Sequence, residues 1–235
     1  MTQHMKTNDI LVIAFDADDT LWDCQSHFEI VERDYCRLLA EYGDSDHVSG
    51  RLFKTEAANM ELLGYGTKAF TLSLVENAVE VSKGKVSAEI IGRIVELGKS
   101  LLCLPATPLP GVRETLCAIR NMNRYRLALF TKGELLDQNN KLQRSGLAPF
   151  FCHVEIVCDK TPAHYRALCE HLGIYPERLL MVGNSFRSDI APALSVGAQA
   201  AHIPFHVTWQ LELTDEFDHP RLTRLNRFCD IMSIL

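Results

Sequence analysis

No apolar run in this chain approaches the roughly 18–20 residues that a membrane-spanning helix needs. The longest near the start, Ile10 to Phe15, follows a polar stretch without the pattern of a cleaved signal. The expectation is therefore a cytoplasmic chain with no membrane partner. A basic surplus is also missing: 24 lysines and arginines face 30 aspartates and glutamates, a net charge of −6. That balance argues against nucleic acid or an anionic surface as partner, while leaving room for a local phosphate site. None of the eight cysteines forms a C-x-x-C pair, and 235 residues is far too long for a small disulfide scaffold. The thiols are expected to be reduced, as in the cytosol. Internal repeats and low-complexity tracts are absent too. With 47% apolar and 23% charged residues, disordered and fibrous classes drop out. What remains is one ordinary globular domain, or one domain carrying a smaller insertion.

The pattern along the chain is uneven. Ile10–Phe15 is a continuous apolar, β-branched run, as expected of a strand buried on both faces. From about Cys24 to Leu104 no strand is legible. Phe28, Val31, Tyr35, Leu38 and Tyr42 recur at helical spacing, with Gly43 as a stop. Helices are predicted near Val48–Leu63 and Lys68–Val81, and a fourth from Ser87, a good N-cap, to Leu101. Pro105, Pro108 and Pro110 mark a stiff connector. Beyond it, helices near Val112–Asn121, Leu135–Arg144, Ala163–His171 and Ile190–Val196 alternate with strands. Those strands are predicted at Arg126–Phe130, Val154–Val157, Leu179–Val182 and Ala200–Ile203, and the tail after His206 is less clear. Such alternation implies βαβ units. The fold class is thus α/β: a Rossmann-like, doubly wound parallel sheet with an all-helical insert after the first strand. The expected boundaries are 1–22 and 105–235 for the core and 23–104 for a helical cap.

Ligands on such sheets bind beyond the carboxyl ends of the strands. The polar residues there are Asp16, Asp18 and Thr20 after the first strand and Thr131-Lys132-Gly133 after the second. Lys160 lies near the third, and Gly183-Asn184-Ser185 with Asp189 follows the fourth. This set suits phosphoryl transfer through an aspartyl-phosphate. Asp16 would be the nucleophile, and Asp18 would protonate the leaving oxygen and later take a proton from water. Thr131 would donate to a phosphoryl oxygen, and Lys160 would neutralise charge around Asp16 and the phosphate. Two anions must meet, so a divalent cation is needed; Mg2+, with its preference for oxygen ligands, is the expected cofactor.

Asp16-Ala17-Asp18-Asp19-Thr20-Leu21 resembles the D-x-D-x-T opening of the haloacid dehalogenase-like hydrolase superfamily. Leu129-Phe130-Thr131 resembles its second motif, Lys160 its third, and Val182-Gly183-Asn184-Ser185 through Asp189 its acidic fourth motif. Four motifs in order cover nearly the whole chain. The resemblance implies a magnesium-dependent phosphatase of the branch with a helical cap, acting on a small soluble phosphomonoester. It implies that Asp16, the backbone carbonyl of Asp18, Asn184 and Asp189 hold the metal. It also implies that amides near Ala17 and Asp18 hold the phosphate together with Thr131, Lys132 and Lys160.

One position departs from the family pattern: Asn184 stands where aspartate is usual. Its amide oxygen can still meet magnesium but removes one negative charge, and Asp189 is then the acidic ligand. The alternatives are a phosphomutase, a 2-haloacid dehalogenase, which lacks the second aspartate of the first motif, and a catalytically impaired binding protein of the same fold. Among flanking residues, Asp19 reads as a helix cap or a support to its neighbours, and Lys132 as an anion contact or a surface charge. Trp22 and Phe28 read as hinge packing or pocket wall. His202 and His206 do not read as a metal pair, because Pro204 separates them.

Overall fold

The structure, a computed structural model, describes residues 9–235; residues 1–8, part of the expected core segment 1–22, lie outside the described residues. Six strands form one parallel sheet: β1 (Val12–Phe15), β2 (Arg126–Lys132), β3 (His153–Val157), β4 (Leu179–Gly183), β5 (Gln199–His202) and β6 (Leu222–Arg224), in the order β3-β2-β1-β4-β5-β6. β1 is central and buried along its length. Successive residues of a strand face opposite sides. Accordingly, Ile13 and Phe15 join one core with Leu116 and Ile119 of α5 (Val112–Asn121). Val12 and Ala14 join a second core with Tyr165 and Leu168 of α7 (Pro162–Leu172). Two covered faces explain why β1 is apolar at every position rather than at alternate ones.

Between β1 and α5 lie α1 (Gln25–Leu38), α2 (Ser45–Leu63), α3 (Thr67–Val81) and α4 (Ala88–Leu102). They bury a separate apolar cluster that includes Tyr35, Leu52, Leu74 and Ile94. Tyr35 donates to the carbonyl of Leu74 at 2.9 Å and accepts from Asn77 at 2.8 Å. Ser87 caps α4 by accepting from the Ile90 amide, as its position in the sequence predicts. The chain enters and leaves the helical insert side by side: the Leu109 amide donates to the Leu21 carbonyl at 2.8 Å, and Trp22 bridges to Pro108.

The remaining helices, α6 (Leu135–Ser145) and α8 (Ala191–Ser195), complete the layers. Three expectations shift. The first long helix stops at Leu38, five residues before Gly43; Tyr42 keeps its apolar spacing because its ring packs on the helical cluster from a turn. β2 runs on through Thr131 and Lys132, so both are strand residues. β6 was not legible, since three residues paired at a sheet edge carry no alternation.

Candidate active site

The sheet order reverses at β1, which has β2 on one side and β4 on the other; the crevice beyond the ends of β1 and β4 is where doubly wound sheets take ligands. The loop after β1 turns sharply there. Asp19 adopts φ of 62°, a left-handed conformation that aspartate tolerates better than most residues. Its carboxylate accepts from the Cys24 and Gln25 amides at 2.8 and 2.9 Å, fixing the start of α1. Burial pushes Asp19 up to about 7 against those two amides. Asp19 is therefore a cap for the helix that follows. The amides of Ala17 and Asp18 donate to no backbone carbonyl among the described residues.

Asp16 directly follows β1, buried, where Lys160 reaches it from the loop just before α7. The Lys160 ammonium stands 2.5 Å from Asp16 Oδ1 and 2.7 Å from Asp189 Oδ1. Asp189 lies in a π turn (Phe186–Ile190), and its other oxygen accepts from the Ser185 amide at 2.9 Å. The single Thr20 hydroxyl proton is shared between Asp16 Oδ2 at 3.0 Å and the Asn184 amide oxygen at 3.1 Å. Asn184 is itself held through its carbonyl, which lies 2.9 Å from His202 Nε2. Burial and the Asp189 charge push Asp16 up to about 7, against the pull of Lys160. Burial disfavours the Lys160 ammonium, yet the two carboxylates raise its pKa, so the lysine stays charged. One cation thus faces two buried carboxylates, with an amide oxygen tied to Asp16 through the Thr20 hydroxyl. A negative surplus with oxygen-only donors is the donor set that a hard divalent cation takes.

Asp18 points elsewhere. Both its oxygens meet Lys141 of α6, at 2.8 and 2.7 Å. Gln138 donates to Oδ2 at 2.7 Å and the Trp22 indole to Oδ1 at 2.7 Å. Burial would raise Asp18, but Lys141 and these hydrogen bonds hold it below the ordinary carboxylate range. Lys141 is almost fully buried, and Asp18, Cys24 and Asp137 raise its pKa against the cost of burial.

Thr131, the last residue but one of β2, lines the same cavity, and no described residue hydrogen-bonds its hydroxyl. Lys132 turns to the tail: its ammonium is 2.5 Å from Glu212 and 2.7 Å from Ser188, and it lies 3.8 Å above the Tyr65 ring centre. Glu212 also accepts from Ser185 and Ser188, which ties the tail to the loop after β4. Above these groups opens a cavity of about 180 Å³, walled on the far side by α1, α2 and α3.

The structure therefore brings Asp16, Lys160, Asn184 and Asp189 together and places Thr131 beside them. It directs Asp18 to Lys141 and Lys132 to Glu212. Trp22 is fully buried and serves Asp18, whereas Phe28 lines the cavity against Phe70, 5.1 Å between ring centres. His206 contacts Ser26 while His202 holds Asn184, so the two histidines serve separate partners. Arg187 donates to the Leu211 carbonyl. Sequence reasoning missed Lys141, Gln138 and Glu212, and it placed Thr20 at the strand end without giving it a role. The one available signal was that Gln138 and Lys141 share a face of α6 three residues apart.

A profile of the haloacid dehalogenase-like hydrolases matches residues 10–197. A solved haloacid dehalogenase-like family hydrolase from Xanthomonas campestris is 33% identical, with 96% of this chain and 92% of that one aligned and a TM-score of 0.86. The glyceraldehyde 3-phosphate phosphatase of Methanocaldococcus jannaschii is 25% identical over 234 residues, 95% of this chain and 97% of that protein. L-2-haloacid dehalogenase of Xanthobacter autotrophicus, 17% identical with a TM-score of 0.64 over 96% of this chain and 98% of its own, shares the fold alone.

Proposed function

The chain belongs to the haloacid dehalogenase-like hydrolase family, as one of its phosphatases, and from that premise we propose that it hydrolyses a small soluble phosphomonoester through an aspartyl-phosphate at Asp16. The observation that carries this reading is the Lys160 bridge between Asp16 and Asp189 at the base of a cavity on the carboxyl edge of the sheet. A three-carbon phosphate such as glyceraldehyde 3-phosphate, on which the Methanocaldococcus relative acts, is of a size this cavity admits.

In this mechanism the substrate phosphate lies against the free amides of Ala17 and Asp18, the Thr131 hydroxyl and the Lys160 ammonium. An Asp16 oxygen attacks phosphorus, the P–O bond to the leaving group breaks, and Asp18 gives that oxygen its proton. Asp18 is held ionised by Lys141 in the free protein, but an incoming phosphate dianion raises the pKa of a neighbouring carboxyl, so Asp18 takes up one proton from solvent as the substrate binds and passes it to the leaving oxygen. In the second step Asp18 takes a proton from water as the water oxygen attacks phosphorus, and inorganic phosphate leaves Asp16 free. Asp16, the Asp18 carbonyl, Asn184 and Asp189 would hold Mg2+, which supplies positive charge against the developing charge on the phosphoryl oxygens. Lys160 fixes Asp16 and Asp189 in one orientation, so little reorganisation accompanies attack.

The test is turnover of p-nitrophenyl phosphate and a panel of small phosphomonoesters, with Mg2+ or chelator, by the natural protein and Asp16→Asn. Phosphate release that needs both the cation and Asp16 supports the proposal. Turnover that survives Asp16→Asn would sink it.

A further inference from the structure

The cavity has two chemically different walls. On the sheet side every lysine that lines it already has a carboxylate partner: Lys132 has Glu212, Lys141 has Asp18, and Lys160 has Asp16 and Asp189. On the helical side the charged residues are two carboxylates, Glu32 of α1 and Glu56 of α2, and no lysine or arginine from these helices lines the cavity. Glu56 is only 8% exposed. Its Oε2 accepts from the Trp209 indole at 3.2 Å, and no described residue hydrogen-bonds its other oxygen. Trp209 in turn meets Tyr65 edge to face, 5.9 Å between ring centres, which braces the contact from the tail. Glu56 is thus a fixed acceptor, short of donors, in the wall that faces a leaving group.

Resting on the phosphatase reading above, we propose that Glu56 is a specificity-determining residue that selects leaving groups carrying hydroxyl or amino donors and rejects those carrying a carboxylate. A donor on the leaving group satisfies a largely buried acceptor with one oxygen that no described residue hydrogen-bonds. A carboxylate there meets Glu56 and Glu32, both of its own sign, and no unpaired cation compensates it. The phosphate end is unaffected, because its charge is met at Lys160, the Thr131 hydroxyl and the loop amides on the opposite wall. Glu56 acts on the choice of ester and takes no part in the bond changes.

The test compares sn-glycerol 1-phosphate with D-3-phosphoglycerate, which share one configuration and differ only in whether the far carbon is an alcohol or a carboxylate. It is run at pH 8, above the value of about 7 to which burial and Glu32 push Glu56. The natural protein is expected to favour the alcohol by about tenfold or more in kcat/KM. In Glu56→Gln the ratio should fall toward one, at least about fivefold, chiefly through KM for the acid. The natural protein tests the inference without any variant, so a misfolded Glu56→Gln does not shelter it. Turnover of p-nitrophenyl phosphate with an alcohol-to-acid ratio of one or below overturns this inference and leaves the phosphatase reading standing. An unchanged ratio in folded Glu56→Gln also overturns it. Absence of turnover on all three esters overturns the phosphatase reading and this inference with it.

Discussion

Lys141 grips both carboxylate oxygens of Asp18, at 2.8 and 2.7 Å, from a helix more than a hundred residues further along the chain. The ammonium is almost fully buried, and its second anion, Asp137 one helical turn away, stands farther off at 3.9 Å. With Gln138 and the Trp22 indole it leaves Asp18 a single orientation. The position and protonation of the proposed acid are therefore set from outside the loop that carries it.

Replacing Lys141 by Met tests that dependence through the leaving group. Alkyl phosphates need a proton on the departing oxygen and p-nitrophenyl phosphate scarcely does. Turnover of sn-glycerol 3-phosphate should fall about 10²-fold, and that of p-nitrophenyl phosphate by about tenfold or less. Stability should drop on the order of 2 kcal/mol, because a partly buried Asp18 loses its counter-charge. Equal losses on the two esters in a folded variant would make Lys141 a structural residue only.

Asp16→Asn is expected to cut turnover on the order of 10³-fold or more while leaving the fold as stable or more so. The substitution leaves Lys160 with one carboxylate, Asp189, and removes the repulsion that helps push Asp16 up to about 7. Thermal unfolding in chelator should show a midpoint equal to or above that of the natural protein. A clear fall would mean that Asp16 stabilises the fold through Lys160 more than it strains it.

Asn184→Asp restores the charge that the family pattern usually carries. Added beside Asp16 and Asp189, it should lower the unfolding midpoint in chelator by a few degrees, through like-charge repulsion. In activity assays the Mg2+ needed for half-maximal turnover should fall about fivefold. These opposite signs distinguish a cation position from a purely structural asparagine, for which neither the metal titration nor its sign would change.

The parts of this molecule that were legible in sequence share a physical reason. Ile10–Phe15 declared a doubly covered strand because every residue had to be apolar, and Asp16, Thr131, Lys160 and Asp189 fell at strand ends where the topology brings them to one edge. What was hidden depends on contacts between distant segments. Lys141 looks like any surface lysine of a helix until α6 packs against the loop after β1. Glu212 lies in a tail without periodicity, and its role exists only because Lys132, Ser185 and Ser188 converge on it. Asp19 was legible as a cap or a support for its neighbours; its backbone conformation and the two amides it accepts decide for the cap.

Gly183 makes the last prediction, because it tests the Asp189 position without touching a charged residue. It is the final residue of β4, and a methyl group built on its Cα would lie 2.2 Å from Asp189 Oδ2 and 2.3 Å from its carboxyl carbon. Contacts that short cannot be kept, so Gly183→Ala must push the carboxylate away from the Ser185 amide and from Lys160. Overpacking of this kind typically costs about 1–3 kcal/mol. Turnover should fall about 10²-fold, a loss of the size that misplacing a single group by about 1 Å produces. The Mg2+ requirement should rise along with it if Asp189 helps to hold the cation. Crystals of the variant should show Asp189 displaced with Lys160 still on Asp16. Full activity with Asp189 displaced would remove Asp189 from the site.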